Sequence, residues 1–232
     1  MISKRFYVIG MTVFFVLYVM LMLRQPNITF KEGDILFQDL DCGPPCEAIE
    51  AVTKGYNGSQ LSHCAIISKA GTSLRNTIVT EAIGENVSKI TLEEFLNRSN
   101  KVLVGRLKKE HSKLIPIALQ HIEDNLVGKP YDFIFDITDD TYYCSEIIYE
   151  GLQSADINQE IMQLYPMTFN EPGTNTPFIH WVEYYEELNH EIPEGKLGLN
   201  PGGMSRSKDI DIVYVFDKPS GCLLYTSPSP RD

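Results

Sequence analysis

In "TYYCSEIIYEGL", residues 141–152, Cys144 stands directly ahead of Ile147, Ile148 and Leu152, which fall at helical spacing. A thiol at a helix N-terminus can be a spectator or a nucleophile. Unsatisfied backbone N–H groups and the positive end of the helix dipole favour thiolate at such a position. A thiolate that cleaves amides also needs a base that hands a proton to the leaving group. The chain has five histidines, and His63 lies in the alternating run "SHCAIISK". There His63, Ala65 and Ile67 share one face of a strand, while Cys64 and Ile66 share the other. A strand gives an imidazole the fixed orientation that a base requires, yet spacing alone leaves a core histidine equally open. Glu81, in "IVTEAIG", sits among apolar neighbours in the next β-rich run. It either orients an imidazole or points to water from an edge strand. His111, His121, His180 and His190 have ordinary surface or packing explanations.

These residues need elements to hold them. "GDILFQDL" (33–40) reads as an opening strand, and "CGPPCEAIEAVTKG" (42–55) as a proline-started helix that stops at Gly55. "LSHCAIISKAG" (61–71) and "NTIVTEAIGENV" (76–87) read as two β-rich runs pairing through the turn between them. Thr91 and Glu94 in "TLEEFL" form a capping box, and "KVLVGRLK" (101–108) is another strand. One amphipathic helix is expected through 111–126, ending at Gly128-Lys129-Pro130. An irregular stretch follows the Cys144 helix to about Thr176. A helix over 177–188 carries Trp181, Tyr184 and Tyr185, candidates to shape a pocket, and 209–216 is a closing strand. Strands in succession with helices between hairpins indicate an α+β fold with an antiparallel sheet packed against helices. No glycine fingerprint leads from a strand into a helix, so nucleotide binding has no support.

The net charge of −11 includes Lys4, Arg5 and Arg24 near the N-terminus, so the remainder is more acidic still. That argues against a nucleic-acid surface and against an electrostatic hold on anionic lipid head groups. Between Arg5 and Arg24, residues 6–23 form an uncharged, mostly apolar run. As a helix it is roughly 27 Å long, about the hydrocarbon thickness of a bilayer. It lacks a small-x-small cleavage site. The expectation is therefore an uncleaved signal anchor with residues 1–5 inside and the catalytic domain on the extracytoplasmic side, the alternative being secretion after cleavage. The domain is expected over 28–218. Residues 222–232, "CLLYTSPSPRD", match the in-frame translation of a sequencing adapter and are set aside, Cys222 with them. Cys42 and Cys46, at i and i+4 around Gly-Pro-Pro, leave open a disulfide, free thiols or half of a metal site.

"GDILFQ", "SHCAII", "VTEAIGENV", "GKPYD" and "YCSEII" occur in an order that resembles the YaeF/YiiX family of permuted papain-like amidases in the NlpC superfamily, as does the closing segment "LNPGGMSRSKDIDIVYVF". The resemblance spans about residues 30–217. It implies a circularly permuted papain-like fold in which the histidine strand precedes the cysteine helix. It also implies a nucleophile at Cys144, a base at His63 and an orienting carboxylate at Glu81, with no metal and no cofactor. The implied partner is an envelope substrate, either a peptidoglycan stem peptide or a lipid-linked amide, cleaved through a thioester. Acyl transfer to a lipid by the same chemistry and a non-catalytic binding domain are the rival readings. Cys64 departs from the family pattern, since an apolar or small residue is expected after the histidine. It is expected on the face away from His63, as a small buried hydrophobe.

Overall fold

The computed structural model describes residues 28–156, 158 and 160–217. Its main sheet has six strands in the order β4-β3-β2-β1-β5-β8, every neighbouring pair antiparallel. In chain order these are β1 (Ile35–Gln38), β2 (His63–Lys69), β3 (Ile78–Ile83), β4 (Asn86–Thr91), β5 (Lys101–Leu107) and β8 (Ile210–Asp217). A short pair, β6 (Tyr165–Pro166) with β7 (Leu197–Gly198), stands apart. The helices are α1 (Pro44–Val52), α2 (Leu92–Asn97), α3 (Ile115–His121), α4 (Cys144–Ala155), α5 (Ile179–Glu187) and α6 (Pro201–Met204). The mixed architecture with an antiparallel sheet agrees with the α+β expectation.

Both faces of the sheet are covered, which is why central strand β1 is buried at every residue. Ile35, Phe37, Cys64 and Ile66 point into one core, where α3 and α4 supply Ala118, Ile147, Ile148 and Leu152. Leu36, Ala65, Ile67 and Val79 point into the other, under Leu92, Phe95 and Leu96 of α2. The period-two alternation read from the sequence thus sorts residues between two cores, with no strand face left to water in the middle of the sheet. α4 lies close on the preceding helical segment through Gly151, where a Cβ would come within 2.7 Å of Ile122.

Three local expectations change. The single β-rich run at 76–87 is the start of a hairpin, β3 and β4, that turns at Gly84, whose φ of 64° favours glycine. The helix expected through 111–126 is divided into a 3₁₀ segment (Lys109–Leu114), α3 and a π turn (Ile122–Leu126). The Gly/Pro-rich stretch before β8 contains α6, capped by Asn200, whose side chain accepts the Gly203 N–H at 2.7 Å. The Thr91–Glu94 capping box forms as expected, with both reciprocal bonds present. Cys42 and Cys46 are joined in a disulfide at the start of α1, so neither sulfur remains a thiolate ligand. Among the described residues no helix is long and apolar enough to cross a membrane; the apolar run at 6–23 and the segment 222–232 lie outside them.

Candidate active site

Helix α4 begins at Cys144 because its first turn is fastened on two sides. Tyr143, extended at φ −95°, is the N-cap, and its N–H donates to the Glu146 carboxyl at 3.1 Å. The Tyr143 hydroxyl accepts the Leu199 N–H at 3.3 Å, while the Ser145 hydroxyl donates to the Leu199 carbonyl at 3.2 Å. Ile147, Ile148 and Leu152 then seat the helix on the sheet and fix its rotation. The Cys144 thiol is left at the floor of a cavity of about 280 Å³ that His63 and Ser62 also line.

His63 opens β2. The register that sets Ile66 opposite Thr80 brings Glu81 of β3 to the same sheet face as His63. There Glu81 Oε2 lies 2.8 Å from His63 Nε2 and 2.6 Å from Arg98 Nη2, with Glu81 only 1% exposed. Engagement of Nε2 leaves Nδ1 as the nitrogen available to sulfur, and Cys144 and His63 line the same cavity close enough for each to shift the other's pKa. The three residues singled out from the sequence therefore form one contiguous chain, extended by Arg98. Burial alone would lower the His63 pKa, but its hydrogen bonds to Cys144 and Glu81 outweigh burial and raise it from 6.5 to about 9. Burial would likewise raise Glu81, and the bonds from His63 and Arg98 hold it below the ordinary range instead. Hydrogen bonding from Cys64, opposed by burial and helped by His63, pulls Cys144 well below an ordinary thiol. The favoured state is a thiolate beside an imidazolium.

Cys64 lies where it is expected, as a small buried residue of the core. It faces away from His63, as the alternation requires, yet it does more than pack. α4 crosses the Cys64 face and brings the Cys144 sulfur beside Cys64, which helps to hold the Cys144 pKa down. Burial, with the adjacent Cys144 charge, pushes the Cys64 thiol well above its usual pKa, so it stays protonated.

Sequence reasoning also missed Arg98 and Tyr131. Tyr131 lines the cavity, and its hydroxyl makes no hydrogen bond among the described residues. Burial and the neighbouring Cys144 charge push its pKa well above the ordinary value, keeping the phenol protonated. The sequence signal for Tyr131 is its place in the motif "GKPYD". The next residue, Asp132, accepts the N–H groups of Ile134, Phe135 and Asp136 at 2.7–2.9 Å and so builds the turn in which Phe135 has a φ of 56°. That turn, α1 and α5 wall the cavity, with Trp181 and Tyr184 among its lining as expected. Tyr185 is buried behind them, and the other four histidines lie outside the lining.

A family model described as permuted papain-like amidase enzyme, YaeF/YiiX, C92 family, matches residues 29–214. A protein of Escherichia coli strain K12 described as uncharacterized protein YiiX is 29% identical over 134 residues. The match covers 54% of this chain, which spans 58% of that relative's length. A crystal structure described as metalloprotein YiiX from Escherichia coli O157:H7 superposes with a TM-score of 0.62 at 23% identity, covering 83% of this chain and 100% of that one. This last likeness shows the fold. Among the described residues of the present chain, no three His, Cys, Asp or Glu side chains come together to hold a metal ion, so no step is routed through one.

Proposed function

Because the chain belongs to the permuted papain-like amidase family, YaeF/YiiX, C92, whose members are cysteine amidases, we propose that it cleaves an amide with Cys144 as nucleophile, His63 as acid and base, and Glu81 as the group that orients His63. The observation that carries this reading is the unbroken chain from the Cys144 sulfur through His63 to Glu81, 2.8 Å from the ring. The thiolate attacks the carbonyl carbon, and the carbonyl π electrons move onto oxygen. Backbone N–H groups at the start of α4 and the Tyr131 hydroxyl stabilise that oxyanion. The tetrahedral intermediate collapses as the carbon–nitrogen bond breaks and imidazolium gives its proton to the departing amine. His63, now neutral, takes a proton from water as it attacks the thioester, and Cys144 leaves as thiolate.

An exported location suits the reading. The apolar run at 6–23 after Lys4 and Arg5 supports a membrane anchor, and the Cys42–Cys46 disulfide supports an oxidising compartment. Transfer of the acyl group to a lipid alcohol would replace only the attacking water, and the apolar lining of the cavity is what favours keeping that reading. A purely binding role has less support, since binding needs no thiolate–imidazolium pair. Iodoacetamide at pH 6, with peptide mass spectrometry, tests the proposal: Cys144 is expected to label rapidly and ahead of Cys64, and Cys144→Ala to abolish amide hydrolysis. Sluggish labelling at Cys144 or full activity in Cys144→Ala would refute it.

A further inference from the structure

Beside the catalytic cavity lies a second one of about 590 Å³, and Val52, Thr168 and Asn200 line both. Their chemistry differs. No lysine, arginine, aspartate or glutamate lines the first, whereas Lys54 and Arg206 line the second with no carboxylate between them. Among the described residues neither cation belongs to an ion pair. In a protein of net charge −11, two cations at one hollow without an acid make a local positive field that favours an anion from outside.

The fold brings this pair together from distant parts of the chain. Lys54 follows the last turn of α1, and Arg206 follows α6. Asn200 ties the two helix ends, its Nδ2 donating to Thr53 Oγ1 at 2.8 Å. Gly202 lets α6 approach α1 closely, since a Cβ there would come within 2.5 Å of the Thr53 carbonyl. The hollow also has a neutral donor. The Tyr165 hydroxyl accepts the Asn200 N–H at 2.8 Å, and its own proton has no acceptor among the described residues. Gly203 makes room for this phenol, whose oxygen a Cβ at that position would strike. Burial pushes the Tyr165 pKa up to about 12 against the pull of the Asn200 N–H and the Arg206 charge, so the phenol keeps its proton.

Resting on Cys144 as nucleophile, we infer that this hollow is an oxyanion subsite, and that the substrate cleaved at Cys144 carries a carboxylate or phosphate that reaches Lys54, Arg206 and the Tyr165 hydroxyl past Asn200. The two groups share the acceptor oxygens that ammonium, guanidinium and phenol donors satisfy. An exposed ion pair is worth roughly a two- to threefold preference, so two of them predict about fivefold at low salt.

Bromoacetylated amino acids test this without the natural substrate. N-bromoacetyl-β-alanine and its 4-aminobutanoate and 6-aminohexanoate homologues are each compared with their methyl esters, which lack only the charge. The Cys144 thiolate displaces bromide, forming a C–S bond as the C–Br bond breaks, and the adduct is counted by peptide mass. Rates on the whole chain at pH 7 are divided by the iodoacetamide rate of the same protein. The acidic surface and the thiolate both repel a carboxylate, so without a subsite every acid reacts more slowly than its ester. At the spacer that spans the two cavities, the acid should instead outpace its ester about fivefold in about 20 mM salt and lose that lead near about 0.5 M. Bromoacetylated aminoalkyl phosphates, run against their dimethyl esters, distinguish the two sources, the larger lead naming the group. Lys54→Gln and Arg206→Gln should each cut the lead about twofold, and Lys54→Glu combined with Arg206→Glu should bring it below one. Anions slower than their esters at every spacer, or a lead that survives the double variant, overturn the subsite and leave the nucleophile standing. Absence of iodoacetamide labelling at Cys144 overturns both.

Discussion

Replacing Glu81 by Gln preserves shape and one acceptor oxygen but removes the charge that faces His63. The rise of His63 from 6.5 to about 9 corresponds to about 3 kcal/mol in favour of the imidazolium, net of a burial effect of opposite sign. Cys144 and Glu81 share that stabilisation, so losing the carboxylate is expected to lower the His63 pKa by roughly one to two units. The sign is definite. His63 acts on the leaving group as an acid, so kcat/KM holds below the folded-state pKa and falls as pH rises through it. The alkaline limb of the native profile is therefore expected near 9, and that of Glu81→Gln roughly one to two units lower. At pH 6 the His63 of this variant is still protonated, so iodoacetamide labelling of Cys144 there should change little. Arg98, with its side chain 30% exposed, can turn to water and need not unfold the site. The assay is kcat/KM on an acyl amide from pH 5 to 10, with alkylation followed in parallel. If turnover drops while the alkaline limb stays near 9, Glu81 does not set the state of His63 and the reasoning fails.

Cys64→Ala removes the thiol beside Cys144 that helps to hold its pKa down, so the Cys144 thiolate should titrate at higher pH by its ultraviolet absorbance and label several-fold more slowly at pH 6; an unmoved titration would leave Cys64 a packing role alone. Tyr131→Phe deletes one donor to the oxyanion and should lower kcat about 10²-fold with the alkaline limb in place; a kcat within twofold of native would show that the backbone N–H groups suffice. Glu146, only 1% exposed, is pushed by burial from 4.5 to about 9. The unfolded chain ionises it above 4.5 and the folded chain does not until about 9, so its stabilising effect is full in acid and lost as pH climbs between those values. Glu146→Gln should therefore melt with the native protein near pH 4 and be more stable at pH 7 by on the order of 3 kcal/mol, a difference that thermal melts at the two pH values would detect or refute.

The catalytic trio was legible because each member obeys a short-range rule. Alternation put His63 and Glu81 on matching faces of paired strands, and helical spacing after Cys144 marked the start of α4. What alternation could not supply was the identity of the neighbour across each face. Cys64 does face away from His63, but α4 crosses that side and brings Cys144 onto it. Arg98 and Tyr131 were illegible for the same reason: they reach the site from the C-cap of α2 and from the connection before α4, and only tertiary packing sets those approaches. The hairpin at Gly84 was hidden by continuity of β-forming residues across a two-residue turn. The cavity itself has no local signature, because its walls come from segments separated by more than a hundred residues.

These approaches share one electrostatic logic. From Cys144 to Arg98 the site alternates thiolate, imidazolium, carboxylate and guanidinium, a chain whose charges cancel inside a protein of net charge −11. Glu146, two residues after the nucleophile in the same first turn, would break that balance if it were ionised, and it would compete with sulfur for the positive end of α4. Burial keeps it protonated through neutral pH, so it accepts the Tyr143 N–H without placing a charge there. Asp132 sits close enough for its charge to raise Glu146 further, and burial has moved Asp132 itself up to about 6 against the pull of three backbone N–H groups. Glu146 therefore gives way to the cysteine: the negative charge that the helix terminus favours is carried by the one atom that attacks.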